Sequence, residues 1–220
     1  MGKNVLLFDF DGTLVDLDKL KAYENVVSSL RGTPNRPLAE KLYQCDNGLC
    51  LLGEYDRRKV FAEFSGEFEN TNADDFCDTF WRELRGAQRL KPRCIATLEL
   101  LAAKGYVLAL VTDADGFKGN KLERIEAAGL KKYFHPRIFI GGEEDRPRKG
   151  TSEYMRCVVK DLAANPGECV MIGDKTKIDL EPAADIGMET IWLKNNEYPA
   201  HWHRQVETLS DLIQEIEALN

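Results

Sequence analysis

Three short apolar runs of this sequence end in carboxylates. Val5 to Phe8 leads into Asp9-Phe10-Asp11-Gly12-Thr13, YVLALVT ends at Thr112 and is followed by Asp113, and ECVMIGD ends in Gly173-Asp174 with Asp179 close behind. Lys149 lies in a polar stretch before the helical pattern around Tyr154, with Arg146 and Arg148 beside it. Like charges gathered at one place cost free energy unless something compensates them. Carboxylates without a His or Cys cluster suit a hard cation with oxygen ligands, and Mg2+ held by one or two carboxylates and a substrate phosphate is the natural choice. A lysine and a threonine suit the remaining phosphoryl oxygens, one as a point charge and one as a donor.

These residues need elements that bring them to one edge. Apolar runs alternate with amphipathic segments that end in Gly105, Gly129 and Gly187. Glycine just past a helix allows the left-handed turn that stops it. The runs at 4–9, 106–112, 137–141, 168–174 and 189–193 therefore read as buried parallel strands in βαβ units. Helices are expected from 94, from about 118, around 154–162, from about 176 to 187, and at 209–219. The predicted fold class is α/β, a doubly wound parallel sheet, in which ligands sit beyond the carboxyl ends of the strands. Residues 15–90 break the rhythm. They carry helical patterns at 17–30, 38–45, 57–68 and 73–84 and no strand candidate. The expected organisation is a core of residues 1–14 and 91–220 with a helical insertion at 15–90.

The bulk properties narrow the function. A chain of 220 residues buries a core without staples. The net charge of −7 argues against a nucleic-acid partner. No apolar stretch reaches membrane-spanning length, and the first run ends too soon in Asp9 for a signal segment, so a cytoplasmic location and no membrane partner are expected. Six cysteines without metal-site spacing read as reduced thiols.

The segment DFDGTL at Asp9–Leu14 resembles the first motif of the haloacid dehalogenase-like hydrolase superfamily. LVT at Leu110–Thr112 resembles the second motif, Lys149 the third, and GDKTKID at Gly173–Asp179 the fourth. The insertion resembles the C1-type helical cap of subfamily I in position, size and helical character. The resemblance implies a Rossmann-like core and an aspartyl-phosphate mechanism. Asp9 is then the nucleophile and Asp11 the general acid and base. Thr112, Asp113 and Lys149 bind the phosphoryl group. Mg2+ sits on Asp9, the Asp11 carbonyl and Asp174. Asp179 holds a metal-bound water or orients Lys149. Gly12 permits the turn out of the strand, Thr13 hydrogen-bonds that turn, and Gly173 supports the fourth motif. Asp at position 11 favours phosphate esters over carbon–halogen bonds, because an alkoxide leaving group needs a proton donor. The resemblance thus implies a Mg2+-dependent phosphatase acting on a small phosphorylated metabolite. A phosphomutase, or a metabolite-binding protein that keeps the fold without catalysis, are the alternatives.

Other readings compete at particular residues. A calcium loop starting at Asp9 needs acidic or amide ligands where Thr13 and Leu20 stand. A receiver domain carries its phosphoacceptor on a later strand. Asp113 and Asp115 together load the phosphate side with negative charge, so at least one is expected to face solvent or to cap a helix near Phe117. Arg57, Arg58, Arg82 and Arg85 in the insertion are candidates for a second anionic group of a substrate, while Phe76, Phe80 and Trp81 read as the insertion's own core. His201 and His203 read as loop residues.

Overall fold

The structure is a computed structural model and describes residues 2–51, 54–195 and 200–220. The strands are β1 (Val5–Phe8), β2 (Val15–Leu17), β3 (Gln88–Leu90), β4 (Val107–Asp113), β5 (Ile138–Gly141), β6 (Cys169–Gly173), β7 (Glu189–Leu193) and β8 (Gln205–Val206). The helices are α1 (Lys19–Arg31), α2 (Arg36–Leu51), α3 (Arg57–Phe64), α4 (Ala73–Ala87), α5 (Cys94–Ala103), α6 (Asn120–Ala127), α7 (Lys131–Phe134), α8 (Ser152–Asp161), α9 (Glu181–Ala184) and α10 (Leu212–Glu217). Among the described residues, no helix is long and apolar enough to cross a membrane.

The chain divides into two compact units. One comprises Met1–Asp16, Leu90–Ala114 and Lys121–Asn220, the other Leu17–Arg89 and Asp115–Asn120. The first holds a six-stranded sheet in the order β5-β4-β1-β6-β7-β8, every pair parallel. Side chains alternate between its faces. Leu6, Phe8, Leu108, Leu110, Val170 and Ile172 join one buried cluster, and Val5, Leu7, Ala109, Val111, Cys169 and Met171 join the other. Burial on both faces is why these strands are continuous apolar runs. From β1 the chain fills β4 and β5 on one side and then β6, β7 and β8 on the other. The order therefore reverses beside β1, where the doubly wound fold opens its crevice.

The second unit is helical. Tyr23, Val26, Leu42, Phe76, Phe80 and Trp81 are in its core, as the aromatic pattern predicts. Of its four candidate arginines, Arg58 pairs with Asp74 and Arg82 with Glu83 at the surface, and Arg85 donates to Asn120 Oδ1 over 2.9 Å. Arg57 alone is buried. It pairs with the buried Asp46 at 2.9 Å and stacks on Phe80 and Trp81.

Some expectations need correction. Residues 15–90 do contain strands, because β2 and β3 form a small two-stranded sheet. The stretch from Thr176 to Gly187 is not one helix. A π-helical turn over Thr176–Leu180 precedes α9, where Pro182 sits in the first turn. Proline lacks the N–H a continuing helix needs, so it is tolerated only at such a start. All six cysteines are free, as expected.

Candidate active site

β1 delivers Asp9 to the middle of the sheet. Its neighbours β4 and β6 flank it, and the Asp9 N–H donates to Ile172 O over 2.9 Å, prolonging the β1–β6 ladder by one residue. Asp9 is only 5% exposed. Its Oδ1 accepts a hydrogen bond from Lys149 Nζ, and its Oδ2 accepts one from Thr13 Oγ1 at 3.3 Å. Thr13 thus holds the carboxylate itself, rather than the turn that the sequence suggested. Gly12 makes that turn with φ +87°, and a Cβ there would run into the Asp174 carboxylate, so the position needs glycine on both counts.

Of Arg146, Arg148 and Lys149, it is Lys149 that reaches Asp9. Its Nζ bridges Asp9 Oδ1 and Asp179 Oδ1, the latter at 2.7 Å. Arg146 instead pairs with Asp161 and stacks on Phe139, and Arg148 is half exposed, 4.0 Å from Asp113. Burial works against the Lys149 ammonium, yet Asp179 and Asp9 outweigh it and lift its pKa well above the usual lysine range. Burial pushes Asp9 upward against the pull of Lys149. With an ammonium donating directly into it, we take the pair as ionised. Asp113 accepts the Lys149 backbone N–H at 2.9 Å and thereby pins the loop that carries the lysine. Thr112, on β4 beside it, is buried.

Asp113 is half-buried and Asp115 is buried. Asp115 accepts from Asn120 Nδ2 at 2.9 Å, and α6 starts at Asn120, so neither aspartate caps a helix at Phe117.

Asp174, one residue beyond β6, is fully buried. Its Oδ2 accepts from Asn195 Nδ2 at 2.7 Å, while its Oδ1 receives no hydrogen bond. Asp9, Asp174 and Asp179 each place one carboxylate oxygen within 4.8 Å of the others. At Gly173 a Cβ would collide with the Asp179 carboxylate, so glycine lets that group close in. Three converging carboxylates, one with a buried oxygen that receives no hydrogen bond and has only Lys175 Nζ at 3.8 Å for company, fit a divalent cation with oxygen ligands. Of the two roles read for Asp179, the structure supplies the contact with Lys149.

Burial raises the Asp174 carboxyl to about 7, with Lys175 opposing and Asp179 and Asp9 adding to the rise. The metal-free folded protein therefore binds this proton where the unfolded chain has lost it. Stability should fall as pH rises from about 4 to about 7. We expect Asp174→Asn to flatten that part of the melting-temperature profile measured in EDTA. Added Mg2+ should raise the wild-type melting temperature most at the upper end of this window.

Asp11 departs from the expected arrangement. Its Oδ2 accepts from Lys121 Nζ at 2.5 Å and from Arg124 Nη1 at 3.2 Å, and its Oδ1 accepts from Arg124 Nη2. Burial works against its charge, yet Arg124 and Lys121 outweigh it and hold the carboxyl far below the usual range. Sequence reading missed both cations, as well as Asn195. A Lys and an Arg three apart on an amphipathic helix just after the second motif were the available signal.

Comparison with known proteins bears on this geometry. A family model described as haloacid dehalogenase-like hydrolase matches residues 3–187. The chain is 25% identical over 208 residues to a glyceraldehyde 3-phosphate phosphatase of Pyrococcus furiosus, covering 88% of this chain and 82% of that one. It is 28% identical over 201 residues to a phosphoglycolate phosphatase of Psychrobacter arcticus, covering 88% and 84%. Among solved structures, its fold matches that of the HAD-hydrolase YfnB from Bacillus subtilis bound to magnesium. That match has a TM-score of 0.77 at 18% identity and covers 98% of this chain and 99% of the other.

Proposed function

Because this chain belongs to the haloacid dehalogenase-like hydrolases, we propose that it is a Mg2+-dependent phosphatase that hydrolyses a small phosphate monoester through an aspartyl-phosphate on Asp9. The observation that carries this reading is the Asp9 carboxylate itself, buried at the end of the central strand and fixed by Lys149 and Thr13.

An Asp9 oxygen attacks phosphorus, the ester P–O bond breaks, and the leaving oxygen takes a proton. Water then attacks the aspartyl-phosphate, loses its proton to a base, and frees both Asp9 and inorganic phosphate. Lys149 and Thr112 serve the phosphoryl oxygens, with Asp113 fixing the loop that presents Lys149. A Mg2+ ion on Asp9, the Asp11 carbonyl and Asp174 supplies positive charge to the same oxygens when bound. Asp11 is the acid and base. As an ionised carboxylate it is ready for the base half. For the acid half it must take up a proton and give up part of its contact with Lys121 and Arg124. The helical insertion at 15–90 is assigned the part of a substrate-selecting cap.

The names of the relatives put small phosphorylated metabolites such as glyceraldehyde 3-phosphate and phosphoglycolate first in a substrate panel. The test is release of inorganic phosphate from p-nitrophenyl phosphate and from that panel. We expect turnover with Mg2+, its loss in EDTA, and recovery when Mg2+ is restored. Undiminished turnover in EDTA would remove the metal from the reading. No release from any monoester by folded protein would remove the phosphatase.

A further inference from the structure

α6 turns two cations to one side. Lys121 and Arg124 lie three residues apart, so they share a helix face. Both are almost fully buried, at 3% and 1% exposure. Their charged ends lie 5.7 Å and 5.3 Å from the centre of the Phe10 ring, and Phe10 is itself fully buried. The ring fixes where these cations sit. The Arg124 fork takes both oxygens of Asp11, and Lys121 adds a third bond. A two-pronged guanidinium contact fixes the plane of a carboxylate as well as its place.

We infer that Lys121 and Arg124 are positioning residues for Asp11, orienting its carboxylate for proton transfer at the Asp9 site. The inference rests on the phosphatase reading above. Nothing in the four motifs points to either residue, and an ordinary surface role is incompatible with their burial. A purely structural ion pair is the competing account. It predicts lost stability on removal, but no special dependence on what stands at position 11.

The test is a double-mutant cycle between positions 11 and 124, with turnover measured in Mg2+ on a small alkyl phosphate monoester. Arg124→Met keeps much of the stacked stem and removes the fork. We expect it to lower kcat about 10²-fold, the scale set by misplacing a catalytic group by about 1 Å, with a much smaller change in KM. Arg124→Lys, which keeps the charge without the fork, should fall between. Guanidinium ion added below denaturing concentration should restore part of the rate of Arg124→Ala. Asp11→Asn alone should be severely impaired. The double variant Asp11→Asn/Arg124→Met should be no slower than Asp11→Asn by more than about twofold, because groups that act through one another are not additive.

A double variant another 10²-fold slower would overturn the positioning role, since Arg124 would then act independently of Asp11. An Arg124→Met variant as fast as wild type, or faster, would overturn it as well. If Arg124→Met does not fold, the Arg124→Lys cycle and Lys121→Met decide the same question. A folded wild type that hydrolyses no monoester would bring down the phosphatase reading and this role with it. An active wild type with additive variants would bring down this role alone.

Discussion

Asp9→Asn will remain folded and lose hydrolysis by on the order of 10⁴-fold or more, the scale seen when a covalent nucleophile is removed. The change is nearly isosteric. Asparagine still offers an oxygen to Thr13 or Lys149, and Lys149 keeps Asp179 as a partner. What disappears is the charged oxygen that attacks phosphorus. Stability should not suffer. Burial raises the Asp9 carboxyl in the folded protein, so its ionised form works against folding at neutral pH, and a neutral amide relieves that. Melting temperature equal to or above wild type, with activity gone, is the expected pair of results. A variant that keeps more than about a tenth of wild-type kcat would show that Asp9 is no nucleophile.

Lys149→Met strikes activity and stability together. The ammonium is shared by Asp9 and Asp179, both buried, with Asp174 nearby. Breaking a buried ion pair by removing one partner typically costs about 3–5 kcal/mol, because a charge is left uncompensated. The loss should depend on pH in a definite sense. The raised Lys149 pKa means that the wild-type contact is complete below the ordinary lysine value and is lost only in strongly alkaline solution. In the variant, Asp9 loses the cation that opposes the upward push of burial on its carboxyl, so the deficit should shrink as pH falls and Asp9 protonates. Mg2+ should likewise recover part of it. Turnover should fall by roughly 10²–10³-fold, as for other lost charge-stabilising donors. Urea unfolding at pH 5 and pH 8, together with kcat in Mg2+, measures both effects.

Much of the core was readable because both faces of its sheet are buried. β1, β4, β5, β6 and β7 are mostly apolar and mostly buried strands, and they stand where the runs predicted. β8 was invisible, since a two-residue strand carries no periodicity. The Thr176–Gly187 helix was misread because its apolar spacing outweighed Pro182, whose missing N–H decides the local structure. In the site, Asp9 and Asp174 stand directly after β1 and β6, and Asp179 from a helical turn and Lys149 from a loop lie against them. Contacts that depend on which way a helix faces were not legible. Lys121 and Arg124 read as ordinary helix charges, and only packing on Phe10 turns them toward Asp11.

The central claim is that a phosphoryl group passes through Asp9, and trapping it is the most direct measurement. Asp11→Asn, which lacks the base for the second half of the reaction, is mixed with Mg2+ and a reactive aryl phosphate, quenched in acid and mapped by peptide mass spectrometry. The account predicts a base-labile phosphoryl group on the peptide carrying Asp9, absent from Asp9→Asn. Product formation by wild type, with no phosphoryl group on Asp9 in any trapping experiment or with one on another residue, would contradict it.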